Sequence, residues 1–108
     1  MVVSSTIASL VKIGSHLDVR NVGHVRTTLN AVLESAAGRP VDVIVDMGAL
    51  EIIDAAGLGM LTAAHLRAER AGQRLVLRNC SNEIRRVLAV TRLNRVLHVD
   101  RGHLGLTA

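Results

Sequence analysis

The stretch Ile52-Ile53-Asp54-Ala55-Ala56-Gly57-Leu58-Gly59-Met60-Leu61 carries an apolar strand end into an acid, two tiny residues and a helix start with two glycines. An aspartate at such a junction accepts hydrogen bonds from the first free backbone N–H groups of the helix, and its charge lies at the positive end of the helix dipole. That cap accounts for Asp54 by itself. Glycine inside a helix costs about 1 kcal/mol against alanine, so Gly57 and Gly59 are predicted to serve close packing or access to the backbone. The run of small residues leaves the helix start bare, where another protein can approach.

Beyond the junction, Leu58, Leu61, Ala64, His65 and Ala68 fall on one helical face, and Gly72 is in position to end the helix. Before it, Val41-Asp42-Val43-Ile44-Val45-Asp46-Met47 reads as a mostly buried strand in a sheet covered by helices, and residues 50–53 continue the apolar trend. Further upstream, Val22, Val25, Leu29, Val32, Leu33 and Ala36 recur at steps of three and four. This predicts an amphipathic helix, with Asn21 placed to cap its start and Gly38-Arg39-Pro40 to stop it. Residues 2–17 alternate, with Ile7, Ser9, Val11 and Ile13 on one side and Ala8, Leu10 and Lys12 on the other, as one long strand or a hairpin would.

On the C-terminal side, Arg74-Leu75-Val76-Leu77-Arg78 is a short strand. Ser81 is placed to cap a third helix with Ile84, Val87 and Leu88 inward and Arg85, Arg86 and Arg92 elsewhere. Residues 93–99 can return as a final short strand, and residues 101–108 are predicted to fray. Strands alternating with helices of this length predict an α/β layer, with at least some parallel strands joined by right-handed crossovers.

A chain of 108 residues suits one domain, residues 1–108, and leaves no room for two cores. With 49% hydrophobic residues and 0% aromatic ones, the core must be aliphatic, and no ring is present on which a nucleobase can stack. The net charge is +4, but the arginines are interleaved with Glu51, Glu69, Glu83 and Asp100. A mixed, solvated surface without direct nucleic-acid binding is expected. The lone Cys80 fits a reducing compartment and reads as a small, semi-buried hydrophobe. The start of the chain lacks the pattern of a signal peptide, and no apolar run reaches the ~18 residues of a membrane span. A cytoplasmic protein without a membrane association is the expectation.

Catalytic signals are missing from the pattern. The glycines near residue 57 are not followed by Lys-Ser or Lys-Thr, and Lys12 is the sole lysine, so no phosphate loop is present. His16, His24, His65, His98 and His103 lack short paired ligand spacing; His98 with Asp100 and His103 reads as strand end plus tail, and His65 as a hydrogen-bonded core or edge residue. Asp42 and Asp46 share one face of a strand without a neighbouring base or nucleophile, and read as sheet-edge or loop hydrogen-bonding groups. We therefore expect no enzyme, no cofactor and no metal, but a binding module.

With these residues in view, the sequence resembles the STAS domain, the sulphate transporter and anti-sigma factor antagonist family, and especially the bacterial stand-alone anti-anti-sigma factors. The resemblance runs from the strand ending in Leu17-Asp18 through Ser81 and Arg85-Arg86-Val87-Leu88. The family motif is an apolar strand followed by Asp, Ser, a small residue, Gly, Leu and Gly; Ile53-Asp54-Ala55-Ala56-Gly57-Leu58-Gly59 matches it at all but the serine. Gly14-Ser15-His16-Leu17-Asp18 departs by about one residue from the family's Gly, x, Leu, Asp spacing.

The resemblance implies a mixed sheet of four to five strands with helices packed on one face. It implies a partner that is an anti-sigma factor and also a serine kinase, whose capture frees a sigma factor and whose phosphorylation of the motif serine ends binding. The implied partner-binding residues are Asp18 and Asp54 as polar contacts, with Ala55, Ala56, Gly57, Leu58, Met60 and Leu61. Ala55 stands at the phosphosite and has no hydroxyl, so a phosphate switch cannot operate there. Two readings stay open: an antagonist that its anti-sigma factor cannot turn off, or a structural STAS subunit of a larger assembly such as a lipid-transport ATPase complex. A homodimer is compatible with both.

Overall fold

The computed structural model describes residues 9–100. In chain order these form β1 (Ser9–Lys12), β2 (His16–Leu17), α1 (Val22–Ser35), β3 (Asp42–Asp46), β4 (Ile52–Ile53), α2 (Ala55–Arg70), β5 (Arg74–Arg78), α3 (Asn82–Val90), a 3-10 turn (Leu93–Arg95) and β6 (His98–Val99). Four strands make a sheet in the order β1-β3-β5-β6, and β2 pairs with β4 in a separate two-stranded ribbon. Every strand pairing among the described residues is parallel, where the resemblance implied a mixed sheet.

Strand alternation decides which side carries the core. Val11 of β1, Val43 and Val45 of β3, and Leu75 and Leu77 of β5 join one buried cluster with Val25, Leu29 and Leu33 of α1, Met60, Leu61, Ala64 and Ala68 of α2, and Ile84 and Leu88 of α3. The intervening Ile44 and Val76 are buried as well, which explains why β3 and β5 read as unbroken apolar runs. With aliphatic side chains alone, the core is filled by interlocking branched residues.

Charge closes the strand ends. Asp42 and Arg74 stand opposite each other in the β3–β5 register and form an ion pair at 2.9 Å. Asp46 accepts from the Gly48 N–H at 2.9 Å and from Asn79 Nδ2 at 3.2 Å, and these bonds hold its carboxyl below the usual carboxylate range. Both acids therefore hydrogen-bond as expected, though from a central strand rather than a sheet edge.

The helix ends follow local chemistry. Ser81 Oγ accepts from the Ile84 N–H at 3.1 Å and caps α3. At the C-terminus of α2, Gly72 adopts φ +74°, so that the Gly72 N–H reaches the Glu69 carbonyl at 3.1 Å and the Gln73 N–H reaches the Ala68 carbonyl at 2.9 Å. Gln73 Nε2 then donates to the Leu33 carbonyl at 3.1 Å, tying the end of α2 to α1.

Three sequence expectations are revised. The alternating N-terminal run is neither one strand nor a hairpin over its described part: it breaks at Gly14-Ser15, and β2 leaves the main sheet to pair with β4. Asn21 precedes α1 but does not cap it; its amide accepts from the Asp18 N–H at 3.0 Å and donates to the His16 carbonyl at 2.8 Å, bracing the loop instead. The final strand is shorter than expected, because Arg92 at φ 63° turns the chain into a 3-10 turn before β6. The expected strand start at residues 2–8 and the tail at 101–108 lie outside the described residues.

Candidate functional site

The β2–β4 ribbon brings the loop after Leu17 alongside the start of α2. Asp54 joins them with both carboxylate oxygens. Oδ1 accepts from the Gly57 N–H at 2.9 Å, the helix cap expected from sequence, and Oδ2 accepts from the Val19 N–H at 3.3 Å across 35 residues of chain. The cap is local; the second bond ties the two segments together.

Gly57 makes this approach possible. A Cβ there would lie 2.2 Å from the Leu17 carbonyl oxygen and 3.0 Å from Ile53 Cγ1, well inside ordinary contact. Gly59 differs, since a Cβ at that position meets nothing within 4 Å. Of the two expected roles for these glycines, Gly57 serves close packing and Gly59 leaves open backbone.

Asp18 is buried, and Arg20 occupies its carboxylate: the Arg20 N–H donates at 3.0 Å, Nε at 3.1 Å and Nη2 at 2.8 Å. These hydrogen bonds from Arg20 outweigh desolvation and hold the Asp18 carboxyl below its usual range, while Asp18 in turn raises the Arg20 guanidinium. Arg20 itself is largely exposed, so the charge presented to solvent at this place is positive.

The implied contact set divides by burial. Ala55 is exposed, and Asp54, Ala56 and Leu58 are half-buried. Leu58 also packs against the core cluster. Gly57, Met60 and Leu61 are buried, and the Asp18 carboxylate is covered by Arg20, so in the free chain these four present little surface. The physical reason is that α2 packs against both β5 and α1, which widens its buried arc to include Met60.

Two large apolar side chains absent from that set flank the junction. Val19 is 73% exposed and Ile52 is 56% exposed. Strand alternation was the available signal for Ile52, which points opposite to Ile53; for Val19 there was none, because its position depends on the Asp54 bond. Among the described residues, Val19, Arg20, Ile52, Ala55 and Gly59 are exposed on the segments that meet at the start of α2.

The remaining candidates also take their places. Thr62 donates its hydroxyl to the Leu58 carbonyl at 2.9 Å. Cys80 is free and buried, and burial pushes its thiol up in pKa. His98 lies in the short last strand β6, just before Asp100, and also meets His65 and Glu69 of α2. Asp100 instead pairs with Arg78 at 3.2 Å, and His103 lies outside the described residues. No described helix is long and apolar enough to cross a membrane.

A parallel sheet backed by three helices, with a capped acid and a small-residue helix start at the end of a two-stranded ribbon, defines a STAS-like α/β protein. A family model described as "Mlab, STAS domain" matches residues 1–99, and the chain belongs to the STAS domain family.

Solved structures agree on the fold. A sulfate transporter family protein from Wolinella succinogenes superposes with a TM-score of 0.72 at 22% identity, covering 92% of this chain and 79% of that one. An anti-sigma-factor antagonist (STAS) domain protein from Planctomyces limnophilus gives 0.75 at 17% identity, with 90% and 85% covered. The anti-sigma factor antagonist SpoIIAA in its unphosphorylated form gives 0.65 at 18% identity, with 99% and 89% covered. Among curated protein sequences nothing matches the chain.

Proposed function

We propose that this chain is a non-enzymatic anti-sigma factor antagonist of the cytoplasm, which binds an anti-sigma factor of the serine-kinase type and so releases a sigma factor for transcription. One observation carries the reading: Ala55 stands exposed at the first position of α2, directly after the capping Asp54, whose carboxylate also holds the loop carrying the exposed Val19. An apolar patch with a few placed polar groups is the usual composition of a protein contact centre.

In a relative switched by phosphorylation, the added phosphate would set about two negative charges next to Asp54 in the middle of that surface, where repulsion and desolvation oppose docking. Ala55 keeps the surface in its unmodified state. The likeness to anti-sigma factor antagonists supports this reading. A second reading, a structural STAS subunit of a larger assembly such as a lipid-transport ATPase complex, is favoured by the same alanine and by the sulfate transporter family neighbour.

The test is a pull-down with the purified tagged chain from lysate of its own cells, with and without ATP, followed by mass spectrometry. Retention of a kinase-like anti-sigma factor that ATP does not release is the expected result. Retention of transporter subunits in its place overturns it in favour of the second reading.

A further inference from the structure

We propose that His65, Glu69 and His98 form a binding site for a zinc-class divalent cation, with one coordination position left open. His65 and Glu69 are one helical turn apart on α2 and so share a face; His98 opens the edge strand β6. One donor atom from each residue falls within 4.8 Å of the other two.

The spacing fits coordination better than hydrogen bonding. Glu69 Oε2 lies 3.7 Å from His65 Nε2 and 3.5 Å from His98 Nε2. Hydrogen bonds from nitrogen to oxygen close at about 2.7–3.2 Å, so the carboxylate stands just out of reach of both rings. Zinc holds its ligands at about 2.0–2.1 Å, which places neighbouring ligands of a tetrahedron about 3.4 Å apart. The two observed separations match that edge length.

His65 supplies an independent observation. It is 4% exposed, yet neither ring nitrogen forms a hydrogen bond, and Nδ1 is fully buried without a partner. Buried polar groups are normally satisfied. Nε2 faces Glu69 and is the ring nitrogen available to an ion, while Nδ1 stays without a partner whether or not an ion is bound. The two imidazole rings are tilted by 57° with centroids 5.3 Å apart, so they converge on the carboxylate without stacking.

Two imidazoles and one carboxylate suit zinc and not magnesium or calcium, which require oxygen donors. Glu69 is exposed and His98 half-buried, which gives the ion a path of entry. A bound ion would fasten the edge strand to the second half of α2, ten or more residues along the helix from Ala55.

The experiment is calorimetric titration of zinc chloride into the untagged, chelator-treated chain, with magnesium chloride as the comparison. Wild type is expected to bind one equivalent of zinc saturably and no magnesium, and cobalt in place of zinc is expected to give the strong visible absorption of a tetrahedral centre. Glu69→Gln and His98→Ala, both outside the core, are each expected to weaken zinc by more than ~100-fold, beyond the roughly 10–100-fold that loss of a supporting group costs. His16→Ala and His24→Ala are expected to leave affinity unchanged.

Thermal melts without metal establish that the variants fold, and histidine ring-nitrogen resonances of wild type report binding at His65 and His98 directly. Absence of saturable zinc binding, a smaller loss in either ligand variant, or ring resonances of His65 and His98 that do not move overturns the proposal.

Discussion

Gly57 and Gly59 lie two residues apart in the same helix, and replacing each by alanine is expected to move stability in opposite directions. Alanine gains about 1 kcal/mol over glycine in a helix interior, and at residue 59 nothing within 4 Å opposes the new methyl group. Gly59→Ala is therefore expected to stabilise by up to about 1 kcal/mol. At residue 57 the same gain meets the Leu17 carbonyl oxygen 2.2 Å from the new Cβ, roughly 1 Å short of ordinary contact.

That oxygen belongs to the backbone of β2, which is held in register by β4 and cannot rotate aside as a side chain would. Overpacking of this kind costs about 1–3 kcal/mol; the upper end applies to a rigid neighbour, so Gly57→Ala is expected to lose about 2 kcal/mol net of the helix gain. For a domain of this size that is a fall in Tm of roughly 8–16 °C. Urea unfolding followed by circular dichroism measures both variants, with the slope against denaturant checking that the unfolded state is unchanged. If Gly57→Ala unfolds within about 0.5 kcal/mol of wild type, or at a higher midpoint than Gly59→Ala, the close approach of α2 to Leu17 is not what confines residue 57 to glycine.

Asp54→Ala removes both the helix cap and the Val19 bond and is expected to cost about 1–2 kcal/mol in urea, while Asp54→Asn, which keeps an acceptor oxygen, is expected to cost less. Ala55→Ser is expected to become a substrate of the cognate kinase, read as a phosphopeptide by mass spectrometry; modification of wild type to the same extent would place the phosphosite elsewhere, with Ser81 and Thr62 the first to examine. Ala55→Asp sets a second acid beside Asp54 and is expected to weaken calorimetric affinity for the anti-sigma factor, with unchanged affinity moving the contact away from α2.

Acid titration carries a further expectation. The carboxyls of Asp18 and Asp46 are held below the ordinary aspartate range in the fold. The stability they contribute is present above the unfolded value and is lost as pH falls through the folded ones. Urea midpoints should therefore drop below about pH 4, and Arg20→Gln should flatten the part due to Asp18.

What the sequence revealed was what short-range physics controls. The stripe of α2, its Asp54 cap and the Ser81 cap each involve partners three or four residues apart, and all were legible. Short apolar runs bounded by charge likewise marked β3 and β5. The burial of Met60 was not legible, because periodicity gives the direction of a helix's apolar face but not the width of its buried arc, which depends on α1 packing against it. Asn21 had the right type for a cap, but the fold bent the backbone of Asp18 within reach of its amide first. The Asp54–Val19 bond and the meeting of His65 with His98 unite separate elements, and only the register of β2 on β4 and of β6 on β5 brings them together.

The double use of the Asp54 carboxylate also bears on the thermodynamics of recognition. With one oxygen on α2 and the other on the loop at Val19, the two halves of the exposed surface are immobilised together when the chain folds. Loops that must be ordered at the moment of docking subtract that entropy from affinity. Here the ordering belongs to folding, so a partner should associate with little conformational rearrangement, and severing the Val19 bond alone should show itself as a less favourable entropy of binding before any contact is lost.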